Sequence, residues 1–131
     1  MTETDIPWAL DLGKRRYSNR FDFVTVEGWF RNNVLKSPLM FLPIRTDRAF
    51  LVALLAALPW AGDLECHISL LCADDNAGWQ VMDLLKLSIN WAKVRKCGSW
   101  RITSETEFDL GPLALRLGAK ETTPRYTLSL L

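Results

Sequence analysis

The stretch from residue 64 to residue 103 constrains the fold more than any other part of the chain. Leu64 to Cys72 is an apolar, β-rich run, and Asp74-Asp75-Asn76 ends it. Residues 77–96 then carry apolar positions at helical spacing, Gly98 ends that pattern, and residues 100–103 form a second short β-rich run. A strand, a long helix and a second strand in this order predict a β-α-β unit, and the other segments lead into it or out of it.

The segments before this unit predict two helices and two further strands. Residues 6–16 form a partly amphipathic helix that ends in basic residues, and a second helix, capped by Thr25, runs to Ser37-Pro38. Residues 39–44 predict a strand. Ala49 to Leu58 is continuously apolar, as expected of a central strand buried on both faces.

The strand at residues 64–72 has two faces that differ in chemistry. Strict alternation places the apolar side chains on one face and the polar ones on the other. The apolar face holds Leu64, Cys66, Ile68 and Leu70, and the polar face holds Glu65, His67 and Ser69. The last segments predict a short helix at residues 108–117, closed by Gly118, and a final hairpin of residues 119–122 and 125–131.

Length and pattern predict a single domain. A chain of 131 residues can bury a core without disulfides, and it shows no repeat, linker or low-complexity segment. We therefore expect one α/β (α+β) domain over residues 1–131, with a mixed, mostly antiparallel sheet, a central β-α-β unit and flanking helices.

Composition excludes several classes of function. Sixteen Lys and Arg against fifteen Asp and Glu give a net charge of +1, which predicts neither a nucleic-acid-binding nor a membrane-binding surface. Cys66, Cys72 and Cys97 lack metal-ligand spacing, so we expect no metal site and reduced thiols in an intracellular protein. The first residues lack a signal-peptide pattern, and the most apolar run, residues 49–61, is broken by Pro59.

The order of elements is similar to that of the GCN5-related N-acetyltransferase (GNAT) family. Residues 5–10 resemble the opening helix of that family, and residues 84–93, continuing through Gly98, resemble its central helix. Residues 117–121 with 125–128 resemble its closing leucine-glycine and tyrosine-strand signature. The resemblance covers nearly the whole chain and implies the GNAT fold.

The resemblance also implies where acetyl-CoA would bind. In the family, its pyrophosphate lies on the N-terminus of the central helix, at the signature Arg/Gln-x-x-Gly-x-Gly/Ala. The matching positions here are Asn76, Trp79 and Val81, and Gly78 is one place out of register. This predicts a degenerate pyrophosphate turn.

Two carboxylates precede the central helix. Asp74 and Asp75 would repel a pyrophosphate, and we favour the interpretation that they cap the helix. In an active protein, backbone N–H groups from Leu71 to Ala73 would polarise the thioester.

The expected catalytic groups are only partly present. The position of the family's tyrosine general acid is Ala114, and that of a frequent asparagine is Glu107. Glu65 and His67 lie near the place of the family's catalytic carboxylate, and either could accept a proton from an amine through water. The alternative is that Glu65 is solvated or ion-paired and that His67 is a hydrogen-bonded structural residue.

Two functions follow from these observations. The first is a non-catalytic structural, assembly or binding component with no cofactor, in which Trp8, Trp29, Trp60 or Trp79 contacts a protein partner or a second copy of the chain. The second is an active N-acetyltransferase that uses acetyl-CoA. It requires an open V between the two central strands. It also requires that the Trp79 indole does not cover the N-terminus of the central helix.

The sequence favours the first function. The short format and the loop Leu58-Pro59-Trp60 resemble small acetyltransferase-like proteins of tailed bacteriophages, some of which are virion parts. The expected location is therefore the cytoplasm of a host cell, or a virion if a phage encodes the chain.

Overall fold

The computed structural model describes residues 1–17, 21–102, 111–120 and 128. The elements are a 3₁₀ turn at Glu3–Asp5, α1 at Ile6–Tyr17, α2 at Phe23–Trp29, a π-helical segment at Phe30–Val34, β1 at Phe41–Arg45, β2 at Ala49–Leu58, β3 at Asp63–Ala73, α3 at Gly78–Val94, β4 at Ser99–Ile102 and α4 at Gly111–Arg116. The predicted final hairpin lies largely outside the described residues, as does Glu107.

The four strands form one sheet in the order β1-β2-β3-β4. β1, β2 and β3 pair antiparallel, whereas β3 and β4 pair parallel through the α3 crossover. The predicted β-α-β unit, the mixed sheet and the bounds of the central strand at Ala49–Leu58 are confirmed.

Helices cover both faces of the sheet. On one face, the buried stripe of α3 packs against alternate residues of β2 and β3. This stripe contains Val81, Leu84, Leu85, Ser88 and Ala92, as the sequence predicts. On the other face, α1 and the π-helical segment pack against Phe50, Val52 and Cys72. The two faces together explain why β2 is apolar along its length.

The second helix begins earlier than predicted. Asp22, not Thr25, is its N-cap, because the Asp22 Oδ1 atom accepts a hydrogen bond of 3.2 Å from the Thr25 backbone N–H. Both residue types favour caps, so the sequence pattern alone does not decide between neighbouring candidates.

β3 contains a bulge that the strict alternation misses. The register moves from Val52 opposite Leu70 to Ala53 opposite Ile68, so Ser69 is the extra residue. Leu70 therefore lies on the α1 face, opposite to Cys66 and Ile68, and its predicted placement was wrong.

The outer edge of β1 offers few groups to another strand. The N-terminal ammonium of Met1 donates to the Pro43 carbonyl at 2.9 Å, and the Phe41 N–H donates to the Ser37 carbonyl at 3.0 Å. Pro43 has no N–H, so this edge is protected against pairing.

None of the helices in the described part of the chain is long and apolar enough to cross a membrane.

Candidate active site

The predicted base residues lie on the face of the sheet that α1 also covers, at the start of β3. Glu65 is opposite Ser99 of β4, and His67 is opposite Arg101. Residues opposite each other in a ladder share a face, so these four side chains form one polar row across β3 and β4. The sequence brings Glu65 and His67 together correctly, but it does not reveal Arg101.

Glu65 and Arg101 form an ion pair across the two strands. The distance from Glu65 Oε1 to Arg101 Nε is 2.6 Å, and the side chains are 9% and 55% exposed, respectively. The two charged groups are in contact, but within the described residues no N–H group is aligned for a hydrogen bond to Glu65 Oε1. A carboxylate this buried requires a charged neighbour, and Arg101 supplies it.

The described part of β4 pairs with the first half of β3. The last described pair is Ile68 opposite Ile102, while β3 itself continues to Ala73. The open V between the two strands stays a prediction, because residues 103–110, which follow β4, lie outside the described residues.

The peptide groups of two residues in the second half of β3 point to the edge of β3 that lies opposite β2. The Asp74 N–H donates to the Arg48 carbonyl, whereas the Ala49 carbonyl accepts from Thr46 on the side of β1. Ala49 and Ala73 therefore face each other without hydrogen bonds between them. Hydrogen-bonded and non-hydrogen-bonded pairs alternate along an antiparallel ladder, so the N–H and C=O groups of Leu71 and Ala73 both point away from β2.

The carboxyl end of α1 covers part of that edge. The Tyr17 hydroxyl donates to the Leu71 carbonyl at 2.7 Å, and the Arg16 Nε donates to the Ala73 carbonyl at 2.6 Å. These contacts use the carbonyl groups only, so they leave the N–H groups of Leu71 and Ala73 as the donors of this edge.

The N-terminus of α3 is open. No side chain caps it, and the first N–H groups of a helix have no partner within the helix. Trp79 is 81% exposed, which is incompatible with an indole lying flat across the first turn, and a Cβ atom at Gly78 would meet nothing within 4 Å.

The other two signature positions also leave the turn open. The Val81 side chain is buried in the α3 core, so its bulk does not fill the turn. Asn76 has a φ of 60°, the left-handed conformation that Asn tolerates better than most residues. The N-terminus of α3 is therefore accessible although bulky residues occupy the signature positions.

The two carboxylates before α3 do not cap it, contrary to prediction. Asp74 Oδ1 is 3.0 Å from Arg15 NH1, and Asp75 Oδ1 is 2.7 Å from Arg16 NH2. Their partners are therefore the basic residues at the end of α1, and the N-cap of α3 is Ala77. The pairing neutralises the carboxylates, which removes much of their expected repulsion of an anion.

The cysteines do not form a nucleophilic site. Burial raises the pKa of Cys66 to about 12 and that of Cys72 to about 12, and it also raises the pKa of Cys97. A protonated thiol is a poor nucleophile. Among the described residues, no group of three or more His, Cys, Asp or Glu could hold a metal ion.

Comparison with known proteins identifies the fold. No protein-family model and no curated protein matches the sequence. Three solved structures resemble this chain over nearly its full length. They are a probable acetyltransferase (TM-score 0.77, 10% identity, 100% of this chain and 95% of that chain), a predicted acetyltransferase from Clostridium acetobutylicum with acetyl-CoA (0.76, 16%, 99% and 93%), and an aminoglycoside 6'-N-acetyltransferase from Acinetobacter haemolyticus (0.74, 14%, 98% and 94%). The chain has the GNAT acetyltransferase fold, and at these identities the likeness concerns the fold alone.

Proposed function

We propose that the chain is an acyl-CoA-dependent N-acyltransferase, which transfers an acetyl group from acetyl-CoA to an amine. The observation that carries this proposal is the open N-terminus of α3, which no side chain caps and where Gly78 leaves space beside the backbone. The anionic end of a ligand can bind the free N–H groups of such a helix end.

The residues around this helix end fit acetyl-CoA. The first turn of α3 would hold the pyrophosphate, helped by the helix dipole. The N–H groups of Leu71 and Ala73 would donate hydrogen bonds to the carbonyl of the acyl group. When bound, acetyl-CoA would supply the acetyl group as an activated thioester.

Proton transfer falls to the polar row on β3. Either Glu65 or His67 would accept a proton from the amine through water. Ala114, in α4, cannot donate a proton to the leaving thiolate. Because a thiol has a pKa of about 8.5, the thiolate can leave without a donor, and the missing acid would cost a factor of about 10²–10⁴ in rate.

Calorimetric titration with acetyl-CoA and with coenzyme A tests the cofactor site. Gly78→Asp and Gly78→Ala form a matched pair, since both side chains have room at this position. Asp favours the helix dipole but repels a pyrophosphate, so we expect G78D to lose affinity without losing stability. Equal affinity in the two variants, or no binding by the wild type at millimolar ligand, would contradict the proposed site.

A second candidate is the non-catalytic binding or assembly component that the sequence favours, including a part of a phage particle. Two exposed indoles support it, since Trp60 is 83% and Trp79 is 81% exposed. Exposed Trp residues are frequent anchors of protein interfaces. We rank this role second, because the open helix end supports the enzyme.

Solution mass tests the self-associating form of the second candidate. If these indoles anchor a homo-oligomer, Trp60→Ala with Trp79→Ala should lower the mass measured by sedimentation without lowering the melting temperature. An unchanged monomeric mass together with micromolar binding of acetyl-CoA would favour the enzyme.

A further inference from the structure

The hydroxyl of Tyr17, the last residue of α1, reaches the second half of β3. It donates a hydrogen bond of 2.7 Å to the carbonyl of Leu71, which lies 54 positions later in the chain. The N–H and C=O groups of one strand residue point to the same side of the strand. The hydroxyl therefore lies at the edge where the Leu71 N–H would bind the acyl carbonyl in the proposed reaction.

The end of α1 fixes the position of this hydroxyl. The neighbouring Arg16 donates from Nε to the Ala73 carbonyl at 2.6 Å and pairs with the Asp75 carboxylate at 2.7 Å. The Tyr17 ring also stacks on Phe21, with centroids 6.1 Å apart and an interplanar angle of 25°. The hydroxyl hydrogen can rotate about the C–O bond to another acceptor while the ring stays in place.

Tyr17 and Arg16 differ in whether they can release a proton at this edge. A guanidinium does not lose its proton in a protein, so Arg16 holds the strand but transfers no proton. A phenol has a pKa of about 10, so it is protonated at neutral pH and can still act as an acid. Ala114 supplies no acid from α4, so a donor that reaches β3 from α1 fills a role that the proposed reaction leaves empty.

We infer that Tyr17 is the general acid of the acetyl transfer, a role that rests on the proposed function. Tyr17 gives its hydroxyl proton to the sulfur as the carbon–sulfur bond breaks and the sulfur takes the bonding electron pair, so coenzyme A leaves as the thiol. The amine nitrogen forms the new carbon–nitrogen bond, and its proton passes through water to Glu65 or His67. Water then returns a proton to Tyr17, and the base releases one, so protons and charge balance.

Tyr17→Phe tests this role, because it removes the hydroxyl but keeps the ring that stacks on Phe21. The measurement is the rate of coenzyme A release from acetyl-CoA at about pH 7.5, with butylamine, lysine, spermidine or kanamycin as the acceptor and with water alone. General acid catalysis is worth a factor of about 10²–10⁴, and a thiolate leaves comparatively easily. We therefore expect kcat to fall about 100-fold in Y17F, at the low end of that range, while the Kd for acetyl-CoA stays unchanged.

The pH dependence distinguishes an acid from a group that only ties α1 to β3. An acid acts while it is protonated, so the advantage of the wild type over Y17F should disappear as the pH rises through about 10. Cys72 and Arg16 neighbour the hydroxyl, but burial raises the pKa of Cys72 to about 12, and a guanidinium keeps its charge. A loss of the advantage near pH 10 is therefore expected from the phenol.

Two further variants complete the test. Ser69→Ala is the matched control, because the Ser69 hydroxyl also donates to a strand carbonyl, that of Val52, at 3.0 Å. Its loss should lower the melting temperature without changing the pH dependence of the rate. 3-Fluorotyrosine at position 17 keeps the hydroxyl on a more acidic phenol, so it should move the alkaline loss of activity to lower pH. This variant also decides the matter if Y17F does not fold.

The outcomes separate this role from the proposed function. If Y17F is as active as the wild type, or if its deficit is the same from about pH 7.5 to about pH 10.5, the acid role is overturned and the N-acyltransferase stands. A deficit that grows with pH would make Tyr17 a base and equally overturn the acid role. An alkaline loss that 3-fluorotyrosine does not move has the same consequence. If no acceptor, water included, releases coenzyme A faster than free acetyl-CoA does, the proposed function and the acid role fall together.

Discussion

A side chain at Gly13 is predicted to destabilise the protein because it would clash with Phe21. A Cβ atom at Gly13, inside α1, would clash with two ring carbons of Phe21, Cε2 and Cζ. Carbon atoms normally approach to about 3.5–4.0 Å, so the ring would have to move by more than about 1 Å. The ring also stacks on Tyr17, with centroids 6.1 Å apart, so this contact supports the end of α1 that reaches β3.

The expected magnitude combines two opposing terms. Replacing Gly by Ala inside a helix stabilises it by about 0.8–1.0 kcal/mol. Overpacking costs about 1–3 kcal/mol. Gly13→Ala alone should therefore lower the free energy of unfolding by about 1 kcal/mol. In the Phe21→Ala background the clash is absent, and the same change should raise the free energy of unfolding by about 1 kcal/mol.

Urea unfolding followed by tryptophan fluorescence measures both signs. Gly28→Ala, in α2, is the matched control, because its Cβ would meet only Asn32 Nδ2, at 3.9 Å. This control should stabilise the protein in both backgrounds. If Gly13→Ala stabilises the wild type as much as Gly28→Ala does, the Phe21 ring does not occupy the space beside Gly13, and the reasoning fails.

Three further predictions concern charge, thiols and exposure. The pKa of Asp5 is lowered, first by the hydrogen bond from the Thr2 N–H, so its stabilisation exists above the unfolded-state pKa of about 3.9 and is lost as the pH falls through the lower folded-state pKa. Asp5→Asn should therefore flatten the acid side of a plot of melting temperature against pH, and an unchanged slope would contradict this. At pH 8, Cys66 and Cys72 should react with a thiol reagent only after unfolding, because their pKa values are raised to about 12; fast labelling of either in native protein would refute their burial. Trp79→Ala should change the melting temperature little, since the side chain is 81% exposed, and a large loss would show that it packs in solution.

Local pattern was sufficient to predict the elements that depend on burial alone. The continuous apolar run at residues 49–58 matches β2 at both ends, because a strand covered on two faces needs no alternation. The stripe of α3 was predicted for the same reason, since helical spacing of buried positions is visible in sequence. Glu65 and His67 were placed on one face because they precede the bulge.

Features set by contacts distant in sequence could not be predicted. The bulge at Ser69 is hidden, because apolar residues follow it on both faces of β3. Arg101 lies opposite His67 only through a parallel register, which the α3 crossover sets and no local pattern records. Asp74 resembles a helix cap by type, yet its partner Arg15 lies 59 residues earlier in the chain.

The open end of α3 explains how the chain can lack the GNAT signature and still keep the space that the signature provides. Glycines serve that signature by leaving room for an anion near the backbone N–H groups. Here the Val81 side chain is buried in the core and the Trp79 side chain is exposed to solvent. Asn76 itself adopts the left-handed backbone conformation. The function of the turn depends on accessible N–H groups, which several sequences can provide. Signature residues are therefore weaker evidence against binding of acetyl-CoA than a blocked helix end would be.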